Sequence, residues 1–207
     1  MAIVSNKTLN NLAEQTSFSK TYISLMATSG VLASISLLTN SVPILIGSMV
    51  VAPVLAPLGL VAVAGVRKKF KLALHGLWVA LGGLFIATLL AILTTYLMNI
   101  TGVIPAETNL MNKSLLEERV NPGWYSVTAA IAAGIAGTIA LTKSKTDTLV
   151  GVVAALALVP TAGAAGISII SSDMERLMGG LILLGINVLV IIIAGILTLL
   201  IIKPDKE

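Results

Sequence analysis

Three prolines stand inside apolar stretches of this sequence, where they are able to open the backbone of a helix. Proline has no N–H, and its ring clashes with the carbonyl four residues earlier. Pro53 is therefore expected to free the Met49 carbonyl, and Pro57 that of Pro53 itself. Pro160 is expected to free the Leu156 carbonyl in the same way. Freed carbonyls need new partners in lipid, so each break must face protein or water.

Two interpretations of these breaks stay open. In the first, half-helix ends and loose carbonyls form a central site for an ion or small polar solute near the bilayer midplane. In the second, the prolines only kink helices so that they pack.

Groups for acid–base, nucleophilic or metal chemistry are scarce in this sequence. It has no cysteine, His75 is the only histidine, and no ionisable residue falls in the middle of an apolar run. We therefore expect no enzyme, no catalytic residue, no metal and no cofactor, and the missing carboxylates argue against a proton-driven pump. Asn187 is the most polar side chain deep in the last run. It could line a pathway, but a hydrogen bond between helices is favoured.

A cluster of small residues follows the aromatic pair at 124 and 125. Ala130 with Gly134, and Ala133 with Gly137, stand four residues apart, which puts each pair on one face of a helix. Small faces let helix backbones approach closely in membranes. We expect them to serve helix packing, within or between subunits, rather than ligand binding.

Composition places these features in a membrane. The chain of 207 residues is 57% hydrophobic and 11% charged, with a mean hydropathy of +1.02, whereas soluble domains are roughly a quarter charged. The fold class predicted is an all-α polytopic membrane protein with six transmembrane helices, the second and fifth broken at prolines. The apolar runs are 21–39, 41–66, 72–98, 123–142, 148–170 and 177–202.

The basic residues predict the orientation. The loop holding Arg67, Lys68, Lys69 and Lys71 is placed in the cytoplasm, because short cytoplasmic loops collect lysine and arginine. With alternating loops, ten of the 13 cations lie inside and both termini are cytoplasmic, in a cell (plasma or inner) membrane. The same basic face is a possible contact for anionic lipid, and no nucleic-acid partner is expected.

Polar residues at segment ends predict helix caps. Ser114 and Glu117 have the spacing of a capping box, which indicates a short surface helix in the long outer connection of about 99–122. Asn40 and Asp147 are each expected to cap the helix that follows.

An internal repeat is suggested by a shift of 107 residues, which also superimposes the first three runs on the last three. Since each half has an odd number of spans, the halves would be inverted repeats. The predicted domains are a cytoplasmic segment 1–20, one transmembrane domain 21–202 and a cytoplasmic tail 203–207. Within the domain, repeat one is about 21–98 and repeat two about 123–202. The shift pairs Gly30 with Gly137, Asn40 with Asp147, Ser41 with Thr148, Pro53 with Pro160 and Gly59 with Gly166.

The proline segments 40–57 and 151–166, together with Asn187 after the stretch 179–185, resemble the domain of unknown function 389 family of hydrophobic prokaryotic membrane proteins. The resemblance extends over about residues 20–200. Thr161 is a departure, since many members are expected to carry a second proline there. The resemblance implies a membrane protein but no particular activity.

The function predicted is a channel or facilitative transporter for an ion or small solute, working through the broken-helix segments. The alternative is a non-transporting homo-oligomeric assembly that binds lipid or a partner. In both cases the lipid bilayer is the principal surrounding, and a homo-oligomer is expected.

Overall fold

The computed structural model describes residues 6–102, 113–121, 123–142 and 158–202, and within these ranges every regular element is an α-helix. In chain order they are α1 (Asn6–Gln15), α2 (Lys20–Thr39), α3 (Val42–Val51), α4 (Leu55–Val66), α5 (Phe70–Ile100), α6 (Ser114–Val120), α7 (Trp124–Thr142), α8 (Val159–Ile170) and α9 (Met174–Ile201).

Four of these helices, α2, α5, α7 and α9, are long and apolar enough to cross a membrane, and α3 with α4 is a bent apolar pair with the composition of a broken span or a re-entrant loop. The class of all-α membrane protein is thereby confirmed. Six spans remain a prediction, because α8 is only 12 residues long and residues 148–157 of the predicted fifth span lie outside the described residues.

The spanning helices expose many large apolar side chains, and small residues stand at their closest contacts. On α5, Trp78, Phe85 and Leu89 are each at least 45% exposed, whereas Ala80 and Ala87 are fully buried. Lipid tails solvate large apolar side chains as well as a protein core does, so burial selects small residues that bring backbones together.

Two glycines mark the closest backbone contacts. A Cβ on Gly30 of α2 would overlap the Ala87 carbonyl of α5. A Cβ on Gly134 of α7 would lie 2.5 Å from the Ile191 carbonyl oxygen of α9. Helices α2 and α5, and helices α7 and α9, therefore form two tightly packed pairs.

Helix α8 lies at the centre of the bundle. It contacts α2, α3, α5, α6 and α9, and all of its residues from Val159 to Ser168 are buried. Its small residues face several neighbours at once: Gly163 meets Ala33 of α2, and Gly166 meets Ala91 of α5.

One end of the bundle, called here the α1 end, is formed by α1 and the helix termini near it. Leu9 and Leu12 of α1 are buried in one apolar cluster with Leu60 of α4 and Leu199 of α9. The predicted cytoplasmic segment 1–20 thus contains a helix docked on the bundle.

The opposite end, the α6 end, shows that two expected caps are wrong. Asn40 ends α2 in a left-handed conformation, and its Oδ1 accepts hydrogen bonds from the Ser114 hydroxyl and the Leu115 N–H, each at 3.1 Å. Asn40 therefore caps α6 rather than the helix that follows it, α3, whose N-cap is Ser41. The predicted surface helix exists, but Ser114 is its first residue and not its cap. Asp147 lies outside the described residues.

Candidate functional site: the Pro53 break and its neighbours

The polypeptide leaves the helical conformation at Ala52, Pro53 and Val54, and α3 and α4 meet there at a bend of 52°. Pro53 has no N–H, so the Met49 carbonyl cannot receive the usual bond from four residues on. Ala52 is extended, as residues before proline tend to be. A helix end, whose last carbonyls lack their usual partners further along the helix, is thus placed inside an apolar stretch.

The carbonyls at this end are turned toward protein. The Ser29 hydroxyl of α2 donates a 2.8 Å hydrogen bond to the Ser48 carbonyl, which is among the last four of α3. Both serines are fully buried, and Met49 and Val54 are at most 2% exposed. A side chain from a neighbouring helix therefore satisfies part of the opened backbone.

Pro57 and Pro160 both stand in the first turn of a helix. Pro57 is the third residue of α4, and Pro160 is the second residue of α8. An N–H at the third position of α4 would have no partner within that helix, so Pro57 removes no bond from α4. Leu156, whose carbonyl was expected to be freed, lies outside the described residues. Thr161, the departure from the family pattern, is buried in α8.

Asn187 of α9 is fully buried and bonds to a different helix. Its Nδ2 donates to the Ser126 hydroxyl of α7 at 3.0 Å, and Ser126 reaches its Oδ1 at 3.4 Å. The favoured interpretation, a bond between helices, therefore describes this residue. Asn187 and the Pro53 break lie at separate helix interfaces, α7–α9 and α2–α3.

The four small residues of α7 that the spacing pairs on one face are turned inward. Ala130, Ala133, Gly134 and Gly137 are buried, and a Cβ on Gly137 would lie 2.6 Å from Leu55 Cδ1 of α4. The sequence left open whether these residues pack within one subunit or between subunits. The structure describes packing within one chain.

The basic loop connects α4 to α5 at the α1 end. Arg67 ends α4, Lys68 takes a left-handed conformation, Lys69 precedes α5 and Lys71 lies in its first turn. The three lysines are exposed. His75, one turn further, contacts the Thr16 carbonyl through Nε2 at 2.9 Å and so joins α5 to the segment after α1.

Sequence reasoning did not identify the buried hydroxyls. Besides Ser29, the Ser34 and Thr95 hydroxyls form a 2.9 Å bond between α2 and α5. Serine and threonine are common in membrane helices, where they often bond to their own backbone. Their spacing alone therefore carries no signal of a bond between helices.

These elements define an integral membrane protein of α-helical type. The chain belongs to the family described as Domain of unknown function (DUF389), which matches residues 49–193, more than half of its length. The resemblance inferred from the proline segments is thereby confirmed. An uncharacterized protein of Methanocaldococcus jannaschii is 24% identical over 194 residues, or 94% of this chain. The alignment spans 58% of that relative's length. No solved structure shows significant similarity to this chain.

Proposed function

We propose that this protein is a channel or facilitative transporter for an ion or small solute, and not an enzyme, with its pathway at the Pro53 break. The observation that carries the proposal is a helix end inside an apolar span, where Ser29 already approaches the Ser48 carbonyl. Backbone carbonyls and hydroxyls at such breaks bind ions and polar groups in known transporter folds. The argument is an analogy of architecture.

An inverted duplication supports this proposal. A two-fold relation between the halves would exchange α2 with α7, α4 with α8 and α5 with α9. The contacts come in matching pairs: α2–α5 with α7–α9, α4–α5 with α8–α9, α5–α8 with α4–α9, and α2–α8 with α4–α7. Ala87 and Ala194, which are 107 residues apart, both lie at the closest contacts. We propose six spans on this basis, with residues before α8 completing the fifth.

The chemistry of the described spans favours a cargo that needs no proton. The break is lined by hydroxyl and carbonyl groups, and the middles of the described spans contain no ionisable residue. Coupling to proton movement requires such a residue in the membrane. Passive passage of an ion or a small neutral solute fits this lining.

The residues at the two ends of the bundle support an orientation in the membrane. The basic loop and α1 share the α1 end, while Asn40, α6 and the start of α9 share the other. Successive spanning segments run alternately toward the α1 end and the α6 end, as a chain of six spans requires. We propose that the α1 end is cytoplasmic in a cell (plasma or inner) membrane, because it carries the basic loop.

The alternative, a non-transporting assembly, has one observation in its favour. Lys68, Lys69 and Lys71 are exposed next to an apolar bundle, as expected for contact with anionic lipid. A homo-oligomer in this alternative would need a surface other than the small residues of α7, since Gly134 and Gly137 pack within the chain.

The proposal is tested by flux through the purified protein in liposomes. Uptake of a panel of ions and neutral solutes is measured together with electrical current, and protein-free liposomes provide the background. We expect flux above background for at least one solute. No flux across the panel, with insertion verified by protease protection, would favour the assembly.

A further inference from the structure

A cleft between α6 and α7 opens at the α6 end, away from the Pro53 break. Its volume is about 360 Å³, against roughly 30 Å³ for one water molecule, so it has room for a small solute. Its lining comes from the end of α6 and the start of α7 and combines apolar surface with several polar side chains. The lining residues are Glu118, Arg119, Asn121, Gly123, Tyr125, Ser126 and Ala129.

Arg119 is the unusual member of this lining. Its side chain is only 16% exposed, and its Nε is buried without a hydrogen-bond partner in the described part of the chain. Burial lowers its pKa, and the Glu118 carboxylate opposes that effect in part. Arginine nevertheless stays charged, because guanidinium does not deprotonate in proteins. A buried positive charge with an unused donor calls for an anionic acceptor.

The charges around the cleft do not supply that acceptor. The only carboxylate close to Arg119 in the described residues is Glu118, which is 67% exposed and 4.0 Å from the guanidinium, the limit of an ion pair. Glu117 and Asp173, also at this end, are paired with Arg176 instead. Arg119 thus keeps most of its capacity for hydrogen bonding.

The start of α7 adds donors to the same cleft. The first N–H groups of a helix have no partner within it, and the helix dipole makes that end positive. Gly123, Tyr125 and Ser126 bring this end of α7 into the lining, and the Ser126 hydroxyl joins it to the buried Asn187 amide.

We propose that this cleft binds a small oxyanion, a phosphate or carboxylate group, through the Arg119 guanidinium, with the first turn of α7 adding favourable backbone dipoles. Guanidinium presents a planar fork of donors that matches two oxygens of such a group. The site is separate from the proposed pathway, so its existence does not depend on transport.

Inorganic phosphate is the probe for the test. Its binding is measured by calorimetry on the full chain in phosphatidylcholine nanodiscs. We expect Arg119→Gln to weaken binding by about tenfold or more, since bonds to charged groups have that magnitude. Lys113→Gln removes a charge from the same end outside the cleft and is the matched control, with a change below about twofold expected.

Glu118→Gln keeps the result interpretable if Arg119→Gln fails to fold. Removing the competing carboxylate is expected to tighten phosphate binding, which loss of structure cannot produce.

Nanodiscs containing phosphatidylglycerol then separate the two sources of the anion. Weaker binding of free phosphate there would indicate a lipid headgroup in the cleft, and unchanged binding a soluble oxyanion.

The proposal is overturned if the wild-type protein binds no phosphate in phosphatidylcholine nanodiscs. It is equally overturned if Arg119→Gln and Lys113→Gln weaken binding alike, because the site would then be only a diffuse charge. A folded Glu118→Gln protein with unchanged or weaker binding would also contradict it.

Discussion

The segment around Pro53 crosses the bundle as two helices, α3 and α4, whereas the described part of the segment around Pro160 is one short helix, α8. The two prolines are 107 residues apart and occupy equivalent positions in the proposed duplication. Pro53 lies between two helices, with a bend of 52°. Pro160 is the second residue of α8, a position that proline favours because its φ suits the start of a helix.

Their surroundings differ as well. Helix α3 exposes Val42, Ile46 and Val50, each to about half, and only one of its sides packs on α2. Helix α8 is buried from Val159 to Ser168 and touches five other helices. The described residues thus show an interrupted backbone at Pro53, beside a half-exposed helix, and a buried, continuous helix from Val159 onward.

The largest expected effect comes from filling space beside α8. A Cβ on Gly166 would lie 3.1 Å from the Thr88 carbonyl oxygen and 3.2 Å from the Ala91 Cβ. Gly166→Leu is therefore expected to lower the free energy of unfolding by at least about 2 kcal/mol, from overpacking. Unfolding in mixed micelles measures the change.

Gly47→Leu in α3 is the matched control, because no atom lies within 4 Å of a Cβ built there. Its stability is expected to stay within about 0.5 kcal/mol of wild type, as for most surface changes. Equal losses at Gly47 and Gly166 would remove the proposed contrast between α3 and α8.

A smaller effect is expected from the bond that closes part of the break. Ser29→Ala leaves the Ser48 carbonyl without its donor from α2 and should cost about 0.6–1.7 kcal/mol, the range found between membrane helices. Ser36→Ala is the control, since the Ser36 hydroxyl is equally buried but bonds to Ala33 within its own helix. It is expected to change stability by less than about 0.5 kcal/mol. A larger loss at Ser36 would mean that Ser29 has no special part in holding the break.

Part of this architecture follows from residue chemistry alone. A proline in the middle of an apolar run opens a helix because it has no N–H, and the break at Pro53 was expected for that reason. A single amide in an apolar run must find a polar partner, so the bond made by Asn187 was expected too. The partner itself, Ser126, comes from another helix 61 residues away, and sequence spacing does not predict it.

Other features depend on how the helices pack in three dimensions. Asn40 precedes α3 by two residues, yet its side chain caps α6, which lies 74 residues further along the chain. Arg119 looks like an ordinary loop charge in the sequence, yet in the folded bundle its Nε is buried. Local patterns predict helices and breaks, but the pairing of distant polar groups is set by the bundle as a whole.

The central claim is that the Pro53 break, and not the Pro160 helix, carries the pathway. Flux of the best wild-type solute is compared for Pro53→Ala and Pro160→Ala in liposomes holding equal amounts of inserted protein. Pro53→Ala restores an N–H to the Met49 carbonyl, so we predict that flux falls by about tenfold or more, which corresponds to a barrier change of about 1.4 kcal/mol. Pro160→Ala is predicted to change flux by less than about twofold, because Pro160 stands in the first turn of α8 as the structure describes it. Undiminished flux in Pro53→Ala, or an equal fall in both variants, would contradict the account.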